Sequence, residues 1–250
     1  MAVDPVRARS FGARAADYAE HRPEYPADGV RWALSAARRP VHDVLDLAAG
    51  TGKLTAGLLP LGLTVTAVEP DDGMRTVLSR EFPQVNTLPG TAEEIPLPDS
   101  SVDAVMVGQA FHWFDRQRAL DEIARVLRPG GVLGALWNGE DDRVEWVAEL
   151  MKYTGTSVSG VVREHLWVPS HALFDGFEES VFPNTHRRTI ESLAETFGTH
   201  SRMLVIPQAE RNEVLDRIRA YLRSRPETSA GEFDMPLVTL VLRAVRGSRP

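Results

Sequence analysis

The sequence predicts an α/β fold with a parallel sheet, and two observations carry that expectation. Short apolar or β-branched runs alternate with helix-length segments through the first half of the chain, separated by tight breaks of small residues. The chain then closes with a strand, helices and a last strand, which suggests a hairpin-like pair finishing the sheet beneath a helical insertion. Strands alternating with helices of this length imply right-handed crossovers.

The elements follow in order. Val44 to Leu47 is a short apolar strand, closed by the small residues and glycines Ala48 to Gly52, and Lys53–Leu59 reads as the helix after it. Leu63 to Val68 is a β-branched strand ended by Glu69-Pro70, followed by a helix over Asp72–Glu81. Val85 to Leu88 is a weaker third strand, and Val102 to Val107 a fourth, after the turn-like Pro98-Asp99-Ser100-Ser101. In Asp115–Leu127 the residues Leu120, Ile123, Ala124 and Leu127 recur at helical spacing. Val132 to Trp137 is the fifth strand, after Pro129-Gly130-Gly131. Beyond it, Val144–Tyr153 reads as helix and Thr154–Gly160 as a loop, while His165 to Phe177 is aromatic-dense and has no clear assignment. Glu178–Arg188 reads as a strand in which Pro183 demands a bulge or an edge. Ser192–Ile206 and Ala209–Arg223 read as helices, and Leu237–Val245 as the final strand. With no repeat and no low-complexity linker, a single domain with an insertion is expected. It divides into N-terminal lid and helices (1–40), a core (41–140), an insertion with the sixth strand (141–235) and the last strand (236–246).

Composition narrows the chemistry. A chain of 250 residues can bury a core without staples. Its net charge of −7 gives no global field to collect nucleic acid or an anionic membrane. Zero cysteine removes disulfides, zinc-thiolate sites and a Cys nucleophile. No apolar run approaches the roughly 18 residues of a membrane span. Met1 to Ala19 lacks the apolar core of a secretory signal, and Asp4, Asp17 and Glu20 argue against a transit peptide. A soluble, cytoplasmic protein is expected.

Four blocks carry the functional signal. In the first, Val44-Leu45-Asp46-Leu47-Ala48-Ala49-Gly50-Thr51-Gly52, a strand runs into a glycine-rich turn that lets a ligand approach backbone closely. A tight turn needing positive φ would look the same. Lys53 is followed by Leu54, not by the Ser or Thr of a phosphate loop, and Thr55 stands where a nicotinamide fingerprint wants a small third residue. Asp46 is costly to bury without a partner, would repel a pyrophosphate and would attract an ammonium group. In the second block, Glu69 ends the second strand, where a carboxylate can accept from a ribose diol, with Pro70 beside it. Met74 suits an adenine face, or simply the core. The third block runs from Gly90 through Thr91, Ala92 and Glu93 to Asp99; Ala92 and Glu93 suit an adenine edge, or helix capping. The fourth, Gly108-Gln109-Ala110-Phe111-His112-Trp113-Phe114, follows the fourth strand and should face a site at the carboxyl ends of the strands.

In this order the four blocks resemble a class I S-adenosylmethionine-dependent methyltransferase of the small-molecule branch. The likeness rests on Leu45 to Gly52, on Ala92-Glu93-x-Ile95-Pro96-Leu97-Pro98-Asp99, and on Val126-Leu127-Arg128-Pro129-Gly130-Gly131. The segment Tyr18-x-x-x-Arg22-Pro23-x-Tyr25-Pro26, with Ala110-x-His112-Trp113, is similar to the subgroup of trans-aconitate-type methyltransferases. The resemblance implies a Rossmann-like, seven-stranded, mostly parallel sheet with helices on both faces and the last strand antiparallel. It implies S-adenosylmethionine as cofactor, S-adenosylhomocysteine as product and a small-molecule acceptor, in a monomer or homodimer. It places Asp46, Ala48 and Gly50, with Thr51 and Gly52, around the methionine part, Glu69 and Pro70 at the ribose, and Met74 with Thr91, Ala92 and Glu93 at the adenine. Gln109, followed by Ala110 and Phe111, would flank the sulfonium, and Tyr18 and Arg22 would belong to a lid. Ala48 stands where many members have glycine, and its small size implies no loss of binding.

On the acceptor side, His112 is the candidate general base, with substrate binding or packing on Trp113 as its other readings. Trp113, Trp137 and Trp167 are candidate acceptor-binding residues. The aromatic cluster Trp146, Trp167, Phe174 and Phe177 reads either as acceptor pocket or as the core of the insertion, and the second is preferred for all but Trp137. Glu140, Asp141 and Asp142 invite magnesium, yet position 109 is Gln and no metal is expected. Gln109-Ala110-Phe111-His112 lacks the Asn/Asp-Pro-Pro-aromatic pattern used on base amino groups, so no nucleic-acid acceptor is expected. An oxygen of an acid or hydroxyl is the preferred acceptor atom. The rivals are an NAD-dependent oxidoreductase on the same sheet and a non-catalytic module that keeps the cofactor pocket.

Overall fold

The computed structural model describes residues 22–154, 170–198, 203 and 206–247. Its seven described strands are β1 (Asp43–Leu47), β2 (Thr64–Val68), β3 (Asn86–Leu88), β4 (Val102–Gly108), β5 (Leu127–Glu140), β6 (Glu178–Arg188) and β7 (Phe233–Val245). They form one sheet in the order β3-β2-β1-β4-β5-β7-β6. The first five run parallel, and β7 lies antiparallel to both β5 and β6. Its helices are α1 (Ala27–Leu34), α2 (Lys53–Leu58), α3 (Asp72–Glu81), α4 (Arg116–Val126), α5 (Glu145–Thr154), α6 (Ile190–Gly198) and α7 (Gln208–Arg223). This is the Rossmann-like sheet that the motifs imply.

Alternation along the strands builds a two-sided core. Leu45, Leu47, Val105 and Val107 point to the face covered by α4, whose Leu120, Ile123 and Ala124 are fully buried. Val44, Ala104 and Met106 point to the opposite face, against Val30 and Ala33 of α1, Leu54 and Leu58 of α2 and Leu78 of α3. A third cluster joins α5, α6 and α7 to Phe233, Met235 and Leu237 at the start of β7. These three helices thus share a core of their own, seated against the start of β7.

Two elements differ from the sequence expectation. β5 does not begin after Pro129-Gly130-Gly131 but runs through it, from Leu127. Gly130 takes φ +80°, its N–H donates to the Arg246 carbonyl, and the β4–β5 register shifts between Val102 and Ala104. The glycines therefore make a bulge inside a strand, where a turn was expected. The helix expected over Ser192–Ile206 begins earlier, at Ile190, and is described as far as Gly198. Pro183 sits on the outermost strand with its pairing to Val238 in register, which is where a residue lacking an N–H is tolerated. In the aromatic stretch, Phe174 bridges to Arg246. Residues 155–169, including most of the expected loop, lie outside the described residues.

Candidate active site

The sheet order fixes where a site can form. The chain builds outward from β1 in both directions, to β2 and β3 on one side and to β4 and β5 on the other. Between β1 and β4 the connections leave in opposite senses, opening a crevice beyond the carboxyl ends of the strands. A cleft lies there, open to solvent on one side. It is lined by Arg22, Pro23, Tyr25, Asp46, Ala48, Ala49, Gly50, Thr51, Lys53, Leu54, Gly108, Gln109 and Asn138.

One wall is the turn after β1. Ala48, Gly50 and Gly52 take φ values of +56°, +57° and +92°. A β-carbon on Gly52 would sit 2.7 Å from the Phe82 ring as well as in a left-handed conformation, so only glycine fits. Ala48 adopts the same region with a side chain, a strained choice for a residue other than Gly or Asn. The Ala49 N–H donates to the Val68 carbonyl, and the Gly50 N–H donates to Oε2 of Glu69 at 2.9 Å.

Two buried carboxylates flank this turn. Asp46 is fully enclosed; the Thr55 hydroxyl donates to its Oδ2 at 2.5 Å, and Oδ1 has no hydrogen-bond partner. Burial pushes its pKa up to about 7, against the opposing Thr55 bonds. Glu69 is 5% exposed, and its Oε1 accepts from the Asp71 N–H at 2.9 Å. Burial raises its pKa too, with the Asp71 and Gly50 N–H groups working the other way. Each Glu69 oxygen keeps a lone pair beyond these bonds. The Thr51 hydroxyl is also buried without a partner. Orphaned buried acceptors cost free energy unless a ligand satisfies them, and these suit a ligand with cationic and hydroxyl donors.

The opposite wall follows β4. Gly108 lies under the Tyr25 hydroxyl, so close that a β-carbon there would be 2.6 Å away. Gln109 takes φ +56°, its N–H donates to the Leu136 carbonyl, and its Nε2 donates to the Asn138 carbonyl at 2.8 Å. The Asn138 side chain is a hub. Its Nδ2 donates to the carbonyls of Pro23 (3.3 Å) and Glu24 (3.2 Å), and its Oδ1 accepts from Asn184 of β6 and from Thr239 of β7. Three strands therefore hold the segment before α1 across the cleft.

A second chamber of similar size opens behind that wall, sharing Arg22, Pro23, Gln109 and Asn138 with the first. Its other lining residues are Gly139 and Glu140 of β5, His186 and Arg188 of β6, Leu193 and Thr196 of α6, and Met235 and Leu237 of β7. Arg188 is 6% exposed and its Nη2 donates to the Thr196 hydroxyl at 2.7 Å. Burial lowers its pKa, and the charge of Arg22 adds to that.

Thus Arg22, Asp46, Ala48, Gly50, Thr51 and Gln109 meet in one cleft. Met74 borders the turn, its sulfur 3.7 Å from where a Gly50 β-carbon would be. The Pro70 carbonyl accepts from Arg75, as does that of Glu69. Thr91 bridges to Glu94, Ala92 is buried in the core, and Glu93 accepts from the Asp115 N–H at the start of α4. Ala110 and Phe111 pack into the core on the α4 face. His112 lies against Trp113, with ring centroids 4.9 Å apart, and neither lines a chamber. Trp137 is 3% exposed, edge-on to Phe111 within the core, and also lines neither. Tyr18 and Trp167 lie outside the described residues. Sequence reasoning did not select Asn138, His186, Arg188 or Thr196, and treated Glu140 only as a metal candidate. They lie up to 58 positions apart, from Asn138 to Thr196, and carry no local signal.

A family profile described as a methyltransferase domain matches residues 45–135. An uncharacterized methyltransferase of Mycobacterium tuberculosis (strain ATCC 25618 / H37Rv) is 42% identical over 236 residues, covering 94% of this chain and 95% of its own. An uncharacterized methyltransferase-like protein of Schizosaccharomyces pombe is 33% identical over 221 residues, 85% of each chain. Among solved structures, a candidate type II methyltransferase from Anaeromyxobacter dehalogenans superposes with a TM-score of 0.70 at 27% identity, covering 90% of this chain and 97% of its own. The chain belongs to the class I S-adenosylmethionine-dependent methyltransferases. The finer likeness to trans-aconitate-type members rests on the sequence motifs alone.

Proposed function

We propose that the protein transfers a methyl group from S-adenosylmethionine to an oxygen of a small-molecule acid or hydroxyl compound. The observation that carries this reading is the pair of buried carboxylates, Asp46 and Glu69, on either side of a glycine turn at the switch point of the sheet. Bound there, S-adenosylmethionine supplies an electrophilic methyl group on a positively charged sulfur. Asp46, with its orphaned Oδ1, is the group to hold the ammonium. Glu69, which does not line the cleft itself but is bonded to the Gly50 N–H of its wall, is the group to hold the ribose hydroxyls. Ala48, Gly50 and Thr51 offer close backbone approach, with Met74 behind them.

Methyl transfer is an in-line displacement, so alignment and exclusion of water are the main tasks of the protein. Gln109 and Asn138 form the partition common to both chambers, which makes this partition the place where donor and acceptor meet. Tyr25 and the Pro23–Glu24 segment, tied down by Asn138, close the cleft from above. An NAD-dependent oxidoreductase would have to seat a pyrophosphate against Asp46, which the orphaned carboxylate opposes. Among the described residues no helix is long and apolar enough to cross a membrane.

Calorimetric titration with S-adenosylhomocysteine, with NAD as control, tests the cofactor. Micromolar or tighter binding that is lost in Asp46→Ala or Glu69→Ala is expected. Preference for NAD would reverse the reading. A product screen with labelled methyl donor over acids, phenols and amines then separates an enzyme from a non-catalytic module.

A further inference from the structure

We infer that Glu140 is a catalytic proton acceptor, and that the second chamber takes a small neutral hydroxyl compound, a phenol or an alcohol, whose O–H donates to its Oε2. This inference rests on the methyl-transfer reading and narrows it from acids and hydroxyls to hydroxyls.

Glu140 is the last residue of β5, opposite Leu237 of β7, two positions beyond the Asn138 partition. It lines the second chamber, and its Oε2 is enclosed with no hydrogen-bond partner. The next acid along the chain behaves differently: both oxygens of Asp141 accept from the Arg143 guanidinium, at 2.7 and 2.9 Å. The orphan is therefore specific to the residue that faces the chamber. A buried carboxylate oxygen without a donor is costly, and a ligand hydroxyl supplies one. A ligand carboxylate at Oε2 would set acceptor against acceptor and leave that oxygen without a donor.

Burial holds the pKa of Glu140 above the ordinary carboxylate range, and its own backbone N–H and then the charge of Arg22 work the other way. A carboxylate so placed is a stronger base than one on the surface. Among the described residues, Arg22, His186 and Arg188 are the other titratable groups lining the chamber, and Glu195 acts on Arg188 from α6. In the step itself, the acceptor oxygen forms a bond to the methyl carbon as the carbon–sulfur bond breaks. The hydroxyl proton passes to Glu140, and the bonding pair returns to sulfur. The products are the methyl ether, S-adenosylhomocysteine and a protonated Glu140 that later yields its proton to water.

Binding and turnover give separate readouts. With S-adenosylhomocysteine present, phenol should bind at least ten-fold more tightly than anisole, which lacks the proton, and Glu140→Leu should bring the two within two-fold. With labelled methyl donor, Glu140→Gln should slow transfer to phenol and 4-methoxyphenol about 100-fold or more. Transfer to 4-nitrophenol, which ionises without help near neutral pH, should fall less than five-fold. Unchanged affinity for S-adenosylhomocysteine shows that each variant is folded. Three results overturn the assignment: equal binding of phenol and anisole to the unaltered protein, an equal effect of Glu140→Gln across the phenol series, or methylation of benzoate but of no hydroxyl. If the unaltered protein does not bind S-adenosylhomocysteine, the methyl-transfer reading fails first and takes this one with it.

Discussion

Two buried aspartates stand on neighbouring strands, near opposite ends of them, and their surroundings differ in kind. Asp103, near the start of β4, is 2% exposed, and its Oδ2 accepts from the N–H groups of His42 and Asp43, both at 3.0 Å. Its Oδ1 accepts from Arg128 at 2.9 Å and pairs with Arg39 at 2.8 Å. Burial alone would raise its pKa, but these donors outweigh burial and hold it below the ordinary value. Asp46, near the end of β1, has Thr55 and an orphaned oxygen, and its pKa rises to about 7. The satisfied carboxylate locks strands together. The unsatisfied one lies at the carboxyl ends of the strands, where the proposed cofactor would complete it. Burial of a charge thus marks structure or function according to whether the chain supplies all of its partners.

This contrast can be broken, most severely at Asp103. Asp103→Asn should cost about 3 kcal/mol of stability by leaving Arg128 and Arg39 short of charge, measured by denaturant unfolding. The folded fraction should still bind S-adenosylhomocysteine as before. Asp46→Asn should do the reverse. Loss of a charged hydrogen bond should weaken S-adenosylhomocysteine binding by about 2 kcal/mol, read by calorimetry.

The pH dependence of Asp46 sharpens the same point. Its folded pKa lies above the value of about 3.9 for an unfolded chain, so its contribution to ligand-free stability is full below that pH. That contribution is lost as the pH rises through about 7. Asp46→Asn should therefore raise the melting temperature of the ligand-free protein at pH 8 and leave it nearly unchanged at pH 4. Binding of the ammonium-bearing ligand should strengthen from pH 6 to pH 8, as Asp46 ionises.

Smaller effects concern the walls. Asn138→Ala removes donors to Pro23 and Glu24 and the acceptor of Asn184 and Thr239, and should cost about 2 kcal/mol in unfolding experiments. Faster proteolysis near the Pro23–Pro26 segment should accompany it. Ala48→Gly relieves a left-handed alanine and should add about 1 kcal/mol of stability, with S-adenosylhomocysteine affinity unchanged. A loss of affinity there would show that the strained alanine shapes the cleft.

The proposed cofactor half of the site was legible because its residues are local. Asp46, Ala48, Gly50 and Thr51 lie within one strand and its turn, and Glu69 follows the next strand. The proposed acceptor half was not. Glu140, Arg188 and Thr196 come from three elements joined only by the β5–β7–β6 pairing and the docking of α6. The aromatic candidates show the same limit: Trp137 points into the α4-side core, and its neighbour Asn138 turns toward the chambers. An aromatic at a strand end serves either face equally well on composition, and alternation along the strand decides between them.

By itself the sequence determined the order of strands and helices, the glycine turn and the carboxylates beside it, because period, turn chemistry and spacing act over a few residues. Tertiary structure alone decided that Pro129-Gly130-Gly131 is a bulge in a continuous strand and that Asn138 binds three strands to the segment over the cleft. It also decided that Glu140 is left with an orphaned oxygen. A hydrogen bond depends on where its partner lies in space, and for these groups the partner, or the lack of one, is fixed by chain far away in sequence.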